Sequence, residues 1–343
     1  MRQLLNTLFI TTEDSYLSLD GENIVIKQKN IEAARFPLHI LQGIVCFSYS
    51  GASPALMGAC AKHKISLSFC TPNGRFLARV TGEGGGNVLL RRMQYRVADN
   101  PPQAVRMARS MVFGKVYNAR WVIERTIRDH AYRVDKEQLE DASIKLKELL
   151  PEILEEMSMS SLRGIEGVAA ATYFSVFDEM ILNNKEDFSF SERTRRPPLD
   201  KVNALLSFSY TLLSHDCASA LESVGLDSYV GFMHADRSGR QSLALDLMEE
   251  LRACMADRFA LTLINNRMIT AKSFKTEESG AVYLTDDGRK LFLKQWQLKK
   301  QEEITHPFLK EKIKWGLVPY VQALLMARFI RGDLDEYPPF LWK

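Results

Sequence analysis

The run Gly82-Glu83-Gly84-Gly85-Gly86 constrains the fold of this chain more than any other feature. Four glycines in five residues offer almost no side-chain surface and no backbone preference, so the run marks a linker. The residue pattern changes character across it. On the N-terminal side, residues 8–11, 16–19 and 24–27 are β-rich pieces. A Glu13-Asp14 turn and an Asp20-Gly21-Glu22-Asn23 turn separate them, and Asp20-Gly21 signals a hairpin. Residues 36–47 continue the strand pattern, with Pro37 at a strand start or an edge. Ser53 as N-cap and Pro54 in the first turn predict one helix reaching His63. Residues 65–70 and 76–80 return to strand.

After the glycines, residues 87–330 show mainly helical periodicity and are enriched in Ala, Leu, Met, Glu and Arg. A Pro/Arg loop at 191–198 interrupts the helices. A second break falls at 273–288, where residues 281–285 have the pattern of a short strand ahead of Asp286-Asp287-Gly288. Residues 333–343 turn from polar to Pro/aromatic and read as an ordered arm or a partner-binding tail. At roughly 150 residues per domain, 343 residues make two domains. The expected architecture is α+β: a β-rich domain over 1–84 and a mainly α-helical domain over 85–343.

Several function classes are excluded early. The five cysteines, Cys46, Cys60, Cys70, Cys217 and Cys254, are odd in number and lack C-x-x-C spacing. That argues against a zinc cluster or a disulfide framework and for a reducing compartment. The first residues lack the apolar core of a signal peptide, and no run of about 18 apolar residues occurs, so a cytoplasmic location without a membrane span is expected. There is no G-x-S-x-G elbow, and the glycine run lacks the Gly-Lys-Ser/Thr that would make it a phosphate loop. Ser214, His215 and Asp216 are adjacent, so on a helix their side chains diverge and cannot form a triad.

The chemistry concentrates elsewhere. His234 sits in a Gly/Ser/Arg loop, and the following helix carries Asp246, Glu249 and Glu250. Leu243, Leu247, Leu251 and Met255 form the apolar stripe that packs that helix down. Positions three and four apart share a helix face. Two carboxylates on one face, met by a histidine from a loop, make a partial cage for a hard divalent cation. The competing reading is a solvated acidic face with a capping histidine. Pattern alone leaves Glu249 and Glu250 interchangeable as ligands. Glu166 is a second acidic candidate, between Gly164 and Gly167 at the start of an Ala-rich helix, where small neighbours permit close approach by a helix or a ligand. Its bland alternative is a surface glutamate favoured by the helix dipole.

Net charge is only +3, so composition does not announce a nucleic-acid binder. Residues 91–133 do: ten arginines and lysines stand against three acids, a local excess of seven, with Tyr95, Phe113, Tyr117, Trp121 and Tyr132 interleaved. That mixture suits phosphate contacts with base stacking. A solvated arginine-rich face is the alternative.

Taken together, Gly114-Lys115-Val116-Tyr117-Asn118, Gly164-Ile165-Glu166-Gly167 with Tyr173-Phe174, the 203–210 segment ending in Tyr210, Tyr229-Val230-Gly231-Phe232-Met233-His234, and the 242–252 helix are similar to the motifs of the CRISPR-associated integrase of the spacer-acquisition step. The resemblance covers nearly the whole chain and looks closest to the I-C subtype. It implies an N-terminal β-sandwich that dimerises and a helical catalytic domain. It implies a Mg²⁺ or Mn²⁺ site formed by Glu166, His234 and Glu249, with Asp246 close by as a further catalytic residue. Relatives often carry Asp where Glu249 stands. The implied activity is metal-dependent cleavage and joining of DNA, in which the 3′-hydroxyl of a short foreign fragment attacks a phosphodiester of the repeat array; with water in its place the same site is a nuclease. The implied partners are DNA, a second copy of the chain and a dimer of a small second adaptation protein. Lys115, Arg163, Arg240 and Arg252 are the expected phosphate-positioning groups. The alternative is a non-catalytic DNA-binding scaffold of the same complex.

Overall fold

The computed structural model describes residues 7–343 apart from 11, 13, 42, 72–75, 81 and 83–87. The start of the chain, Thr11 at the end of the first expected strand, and Glu83 to Gly86 of the glycine run lie outside the described residues.

The β-rich part comprises β1 (Thr7–Ile10), β2 (Ser15–Asp20), β3 (Asn23–Gln28), β4 (Ile31–Pro37), β5 (Gly43–Cys46), α1 (Pro54–Lys62), β6 (Ser66–Cys70) and β7 (Phe76–Val80). β2, β3 and β4 form an antiparallel meander. Asp20 pairs with Asn23 across a two-residue turn whose first residue, Gly21, has φ +58°, a left-handed value that glycine adopts at no steric cost. The other sheet has the order β1-β5-β6-β7, with β1, β5 and β6 parallel and β7 antiparallel to β6. Parallel neighbours need a crossover, and α1 supplies it between β5 and β6. Ser53 caps α1 by accepting from Leu56 N at 3.2 Å. Leu17, Ile24 and Ile26 of the meander meet Ile44, Cys46 and Leu67 of the larger sheet and Leu56 and Cys60 of α1 in one core. The 36–47 stretch is not one strand: β4 ends at Pro37, a 3₁₀ turn at Leu38–Ile40 intervenes, and β5 joins the other sheet.

The helical part begins with α2 (Val88–Ala98) and α3 (Pro101–His130), followed by α4 (Lys136–Glu155), α5 (Met159–Ser175) and α6 (Lys201–Ser223). α7 (Ser242–Leu251) runs through a π-helical turn, Arg252–Asp257, into α8 (Arg258–Asn265). β8 (Phe274–Thr276) and β9 (Val282–Leu284) pair as a hairpin, so the expected short strand is present. Asp286, Asp287 and Gly288 are not a break but the first turn of α9 (Asp286–Gln301), capped by Thr285. β10 (Glu303–Thr305), β11 (Lys312–Lys314) and α10 (Val318–Arg331) complete the chain.

α3 is the central helix. Asn100 caps it, and its apolar positions, among them Met107, Met111, Val112, Val116 and Ile123, are buried. It packs on α4, α5 and α7. The β-rich part docks on α6, where the Phe47 and Phe208 rings lie 6.2 Å apart and Arg79 pairs with Glu222 at 2.9 Å. The fold is therefore α+β, two small sheets over a common core followed by a mostly helical domain. Among the described residues no helix is long and apolar enough to cross a membrane.

Candidate metal and DNA-processing site

Four elements bring the candidate residues together. Lys115 is on α3, Glu166 on α5, Glu249 on α7, and His234 on the loop ahead of α7. The Lys115 ammonium pairs with Glu166 Oε1 and stands 2.7 Å from Glu249 Oε2. Arg252 Nη2 donates to the other oxygen of Glu249 at 2.7 Å. Burial alone pushes the Glu249 carboxyl up, but Arg252, Lys115 and, more weakly, His234 reverse this and hold it at about 2. Glu249 is thus a buried, ionised carboxylate.

Asp246 is fully buried and has a different task. Its Oδ2 accepts from the backbone N–H of Phe232 and Met233 at 2.6 and 2.9 Å. Its Oδ1 accepts from His234 N at 2.9 Å and lies 2.6 Å from His234 Nδ1. Both oxygens are spent on the loop, so Asp246 aims the imidazole and leaves Nε2 as the ring nitrogen available to a ligand. Gly231 makes this possible, because a Cβ there would stand 2.8 Å from Asp246 Oδ2 and 2.9 Å from Ser242.

Glu166 lies seven residues into α5, beyond the first turn, so the helix dipole does not account for it. Gly164 and Gly167 have nothing within 4 Å of where a Cβ would be. Both glycines point away from Glu166 on the helix, and the Glu166 side chain itself is 23% exposed. Glu250, which the sequence could not separate from Glu249, points the other way. Tyr337 and Phe340 N donate to it at 2.5 and 2.9 Å, and burial raises its carboxyl to about 7 despite those bonds and one from Gln322.

The four expected phosphate-positioning groups all spend donors inside the protein. Lys115 and Arg252 serve the glutamates. Arg163 donates to Met233 O, and Arg240 to Ala235 O and Ser242 Oγ, so both brace the His234 loop. The basic stretch divides likewise. Arg91, Arg109 and Arg133 bond backbone carbonyls of neighbouring segments, and Arg120, Arg125 and Arg128 pair with acids on α3 itself. Arg92 and Arg96 on α2 are exposed and form no ion pair among the described residues.

Two features escaped the sequence reading. Asp257, at the end of the π turn, accepts from Tyr210 at 2.5 Å, and burial raises its carboxyl to about 6. Arg252 and Arg193 stack over the Tyr210 ring at 4.6 and 5.1 Å. Lys115, Tyr173, Arg195, Arg252 and Asp257 line a cavity of about 30 Å³ beside Glu249, room for roughly two waters. A π turn inside a helix is a recurrent mark of function, but it has no period in sequence.

Among the described residues no three His, Cys, Asp or Glu side chains close into a ligand cluster. The donor set nevertheless suits a hard cation. Glu166 and Glu249 share a positive charge, and Glu249 Oε2 is buried without an aligned hydrogen bond. A carboxylate pair plus an imidazole nitrogen is chemistry for Mg²⁺ or Mn²⁺.

Fold and site together define a two-part protein: small β sheets, and a helical domain in which Lys115 joins Glu166 to Glu249 and Asp246 holds His234. The family profile described as CRISPR associated protein Cas1 matches residues 8–298. CRISPR-associated endonuclease Cas1 1 of Chlorobaculum tepidum is 51% identical over 343 residues, covering all of both chains. A casposase bound to integration product superposes with a TM-score of 0.80 at 21% identity, over 99% of this chain and 95% of that one. A Cas6-RT-Cas1–Cas2 complex gives 0.83 at 24% identity, over all of this chain and 36% of that one. At those identities the structural likeness is one of fold. The chain belongs to the Cas1 family of CRISPR-associated proteins.

Proposed function

We infer that this protein is a metal-dependent DNA endonuclease and integrase of spacer acquisition, with Glu166, His234 and Glu249 holding Mg²⁺ or Mn²⁺. The observation that carries the reading is that Glu166 and Glu249 converge on one positive charge, with the Glu166 side chain 23% exposed. The ion, when bound, supplies polarisation of the scissile phosphodiester and neutralises charge developing on it. The chain's own residues do the rest. Glu249 stays ionised under Lys115 and Arg252. Asp246 fixes the His234 ring, and Arg163 and Arg240 hold the loop that carries it. A DNA 3′-hydroxyl as attacking group gives joining; water gives cutting.

The finer reading includes a homodimer, a dimer of the small second adaptation protein, DNA fragments with free 3′ ends, a cytoplasmic location and the I-C subtype. A casposase captured with its integration product and a complex containing Cas2 are consistent with DNA and the small partner. One observation favours the scaffold reading instead: the Lys115 ammonium sits against both carboxylates, as in a structural ion pair.

The test compares Mn²⁺, Mg²⁺ and EDTA with a short duplex, a repeat-array plasmid and the small partner. Joined product that requires metal and disappears in Glu166→Ala and His234→Ala, with DNA binding and melting temperature retained, is the expected result. DNA binding without any metal-dependent product selects the scaffold.

A further inference from the structure

The family match ends at residue 298, and residues 333–343 lie beyond it. From Tyr337 onward they nonetheless pack into the helical domain. Tyr337, Phe340 and Trp342 are 2%, 0% and 5% exposed, so this segment is core and not a loose tail. The polar contacts of its buried part centre on Glu250 and Asn118. On α7, Glu250 takes Tyr337 OH and Phe340 N on its two oxygens. On α3, Asn118 receives Trp342 N on its Oδ1 at 2.8 Å, and its Nδ2 donates to Phe340 O at 2.7 Å and Glu250 O at 2.6 Å. Gln322 of α10 donates to Glu250 Oε1 and to Tyr337, closing the network.

Both anchors are next to site residues. Glu250 follows Glu249, and Asn118 is three residues, just under one turn, from Lys115 on the same helix. Gly114, one residue before Lys115, is where the pieces meet: a Cβ there would stand 3.0 Å from the Cβ atoms of both Glu250 and Pro339. Lys115 of α3 bridges to Glu249 of α7, and the strap joins the same two helices through Asn118 and Glu250. This gives Gly114 and Asn118 a task that phosphate binding does not explain.

We propose that residues 333–343 are a positioning element of the site, a strap that fixes the register of α3 against α7 and, through Glu250, the placement of Glu249. Tyr337, Asn118 and Gly114 are its positioning residues. The proposal rests on the site reading given above.

Three full-length proteins, wild type, Tyr337→Phe and Gly114→Ala, are compared with a chain ending at Glu336, the last with and without a synthetic peptide of residues 337–343. Mn²⁺ affinity is read by calorimetry, and kcat and KM for DNA cleavage are scaled to the folded fraction. Tyr337→Phe keeps the ring and removes the bond to Glu250. It lowers kcat about fivefold and weakens Mn²⁺ binding by a similar factor, with KM for DNA within about twofold, because sub-ångström misplacement costs rate before it costs substrate binding. The shortened chain loses about 100-fold in kcat, and the peptide restores much of it. If the shortened chain does not fold, the two substitutions decide alone. Variants that melt earlier but match wild type in kcat and Mn²⁺ affinity overturn the proposal, since the strap then only stabilises. A wild-type chain that neither binds Mn²⁺ nor cuts DNA overturns the site reading, and the strap proposal falls with it.

Discussion

Glu249 and Glu250 are consecutive residues of one buried helix, yet α7 delivers them to opposite regimes. Glu249 faces an ammonium and a guanidinium and is held at about 2. Glu250 faces a phenol, a side-chain amide and a backbone N–H, and burial lifts it to about 7. Neutral donors do not repay the desolvation of a carboxylate; cations do. The charged face of α7 meets Lys115 and Arg252, and the neutral face meets Tyr337, Phe340 and Gln322. Residue type is no guide to role here, because the neighbours set the protonation state.

The sharpest way to break that contrast is a pair of isosteric changes. Glu249→Gln removes the charge and lowers Mn²⁺-dependent cleavage by about 1000-fold, the scale of losing a metal-binding group. Glu250→Gln keeps the shape and a hydrogen-bonding head, so cleavage stays within about tenfold of wild type. Single-turnover cleavage measures both. Equal losses would show that the two glutamates form one functional unit.

The contrast also has a pH signature in the metal-free protein. Burial raises the Glu250 carboxyl from its ordinary 4.5 to about 7 in the folded protein, so between those values the native state binds the extra proton. Its contribution is present at low pH and is lost as pH rises from about 4.5 through 7. Asp257, raised from 3.8 to about 6 by burial, acts in the same direction. Glu249 is the reverse: lowered from 4.5 to about 2, it contributes above 4.5 and loses its contribution as pH falls towards 2. Each swing is bounded by about 3 kcal/mol. Urea unfolding from about pH 5 to about pH 8 should show declining stability in wild type and a shallower decline in Glu250→Gln. An unchanged slope would mean that Glu250 is ionised in its neutral surroundings.

Much of this was legible in the residues, and the losses have physical reasons. Period-2 and period-3.6 patterns separate the sheets from the helices because side-chain geometry alone imposes them. The caps Ser53 and Thr285 are local chemistry, and only the first was read. The split of residues 36–47 between two sheets was not legible, since strand pairing is a non-local choice. His234, Asp246 and the glutamates stood out by spacing. Which glutamate faces which neighbour did not, because the answer lies in Lys115, Tyr337 and Phe340, each more than 80 residues away. Composition counts the arginines of the basic stretch but not their partners, and most of these reach backbone carbonyls or acids within the protein.

The smallest expected effect probes the cation position itself. Lys115→Met keeps length and apolar stem and deletes the charge shared by Glu166 and Glu249. Stripping one partner from a fully buried pair costs about 3–5 kcal/mol. Here Arg252 still neutralises Glu249 and the Glu166 side chain is 23% exposed, so the loss should be nearer 1–2 kcal/mol. Mn²⁺ should repay it, because an ion that binds only the folded state adds stability in proportion to RT ln(1 + [L]/Kd). In wild type the ion competes with the ammonium for the same two carboxylates, so the variant should also bind Mn²⁺ more tightly. Thermal melts with and without Mn²⁺ read both effects. A variant destabilised equally in either condition would make Lys115 a structural counter-ion, and the charged face of α7 no more a ligand site than the neutral one.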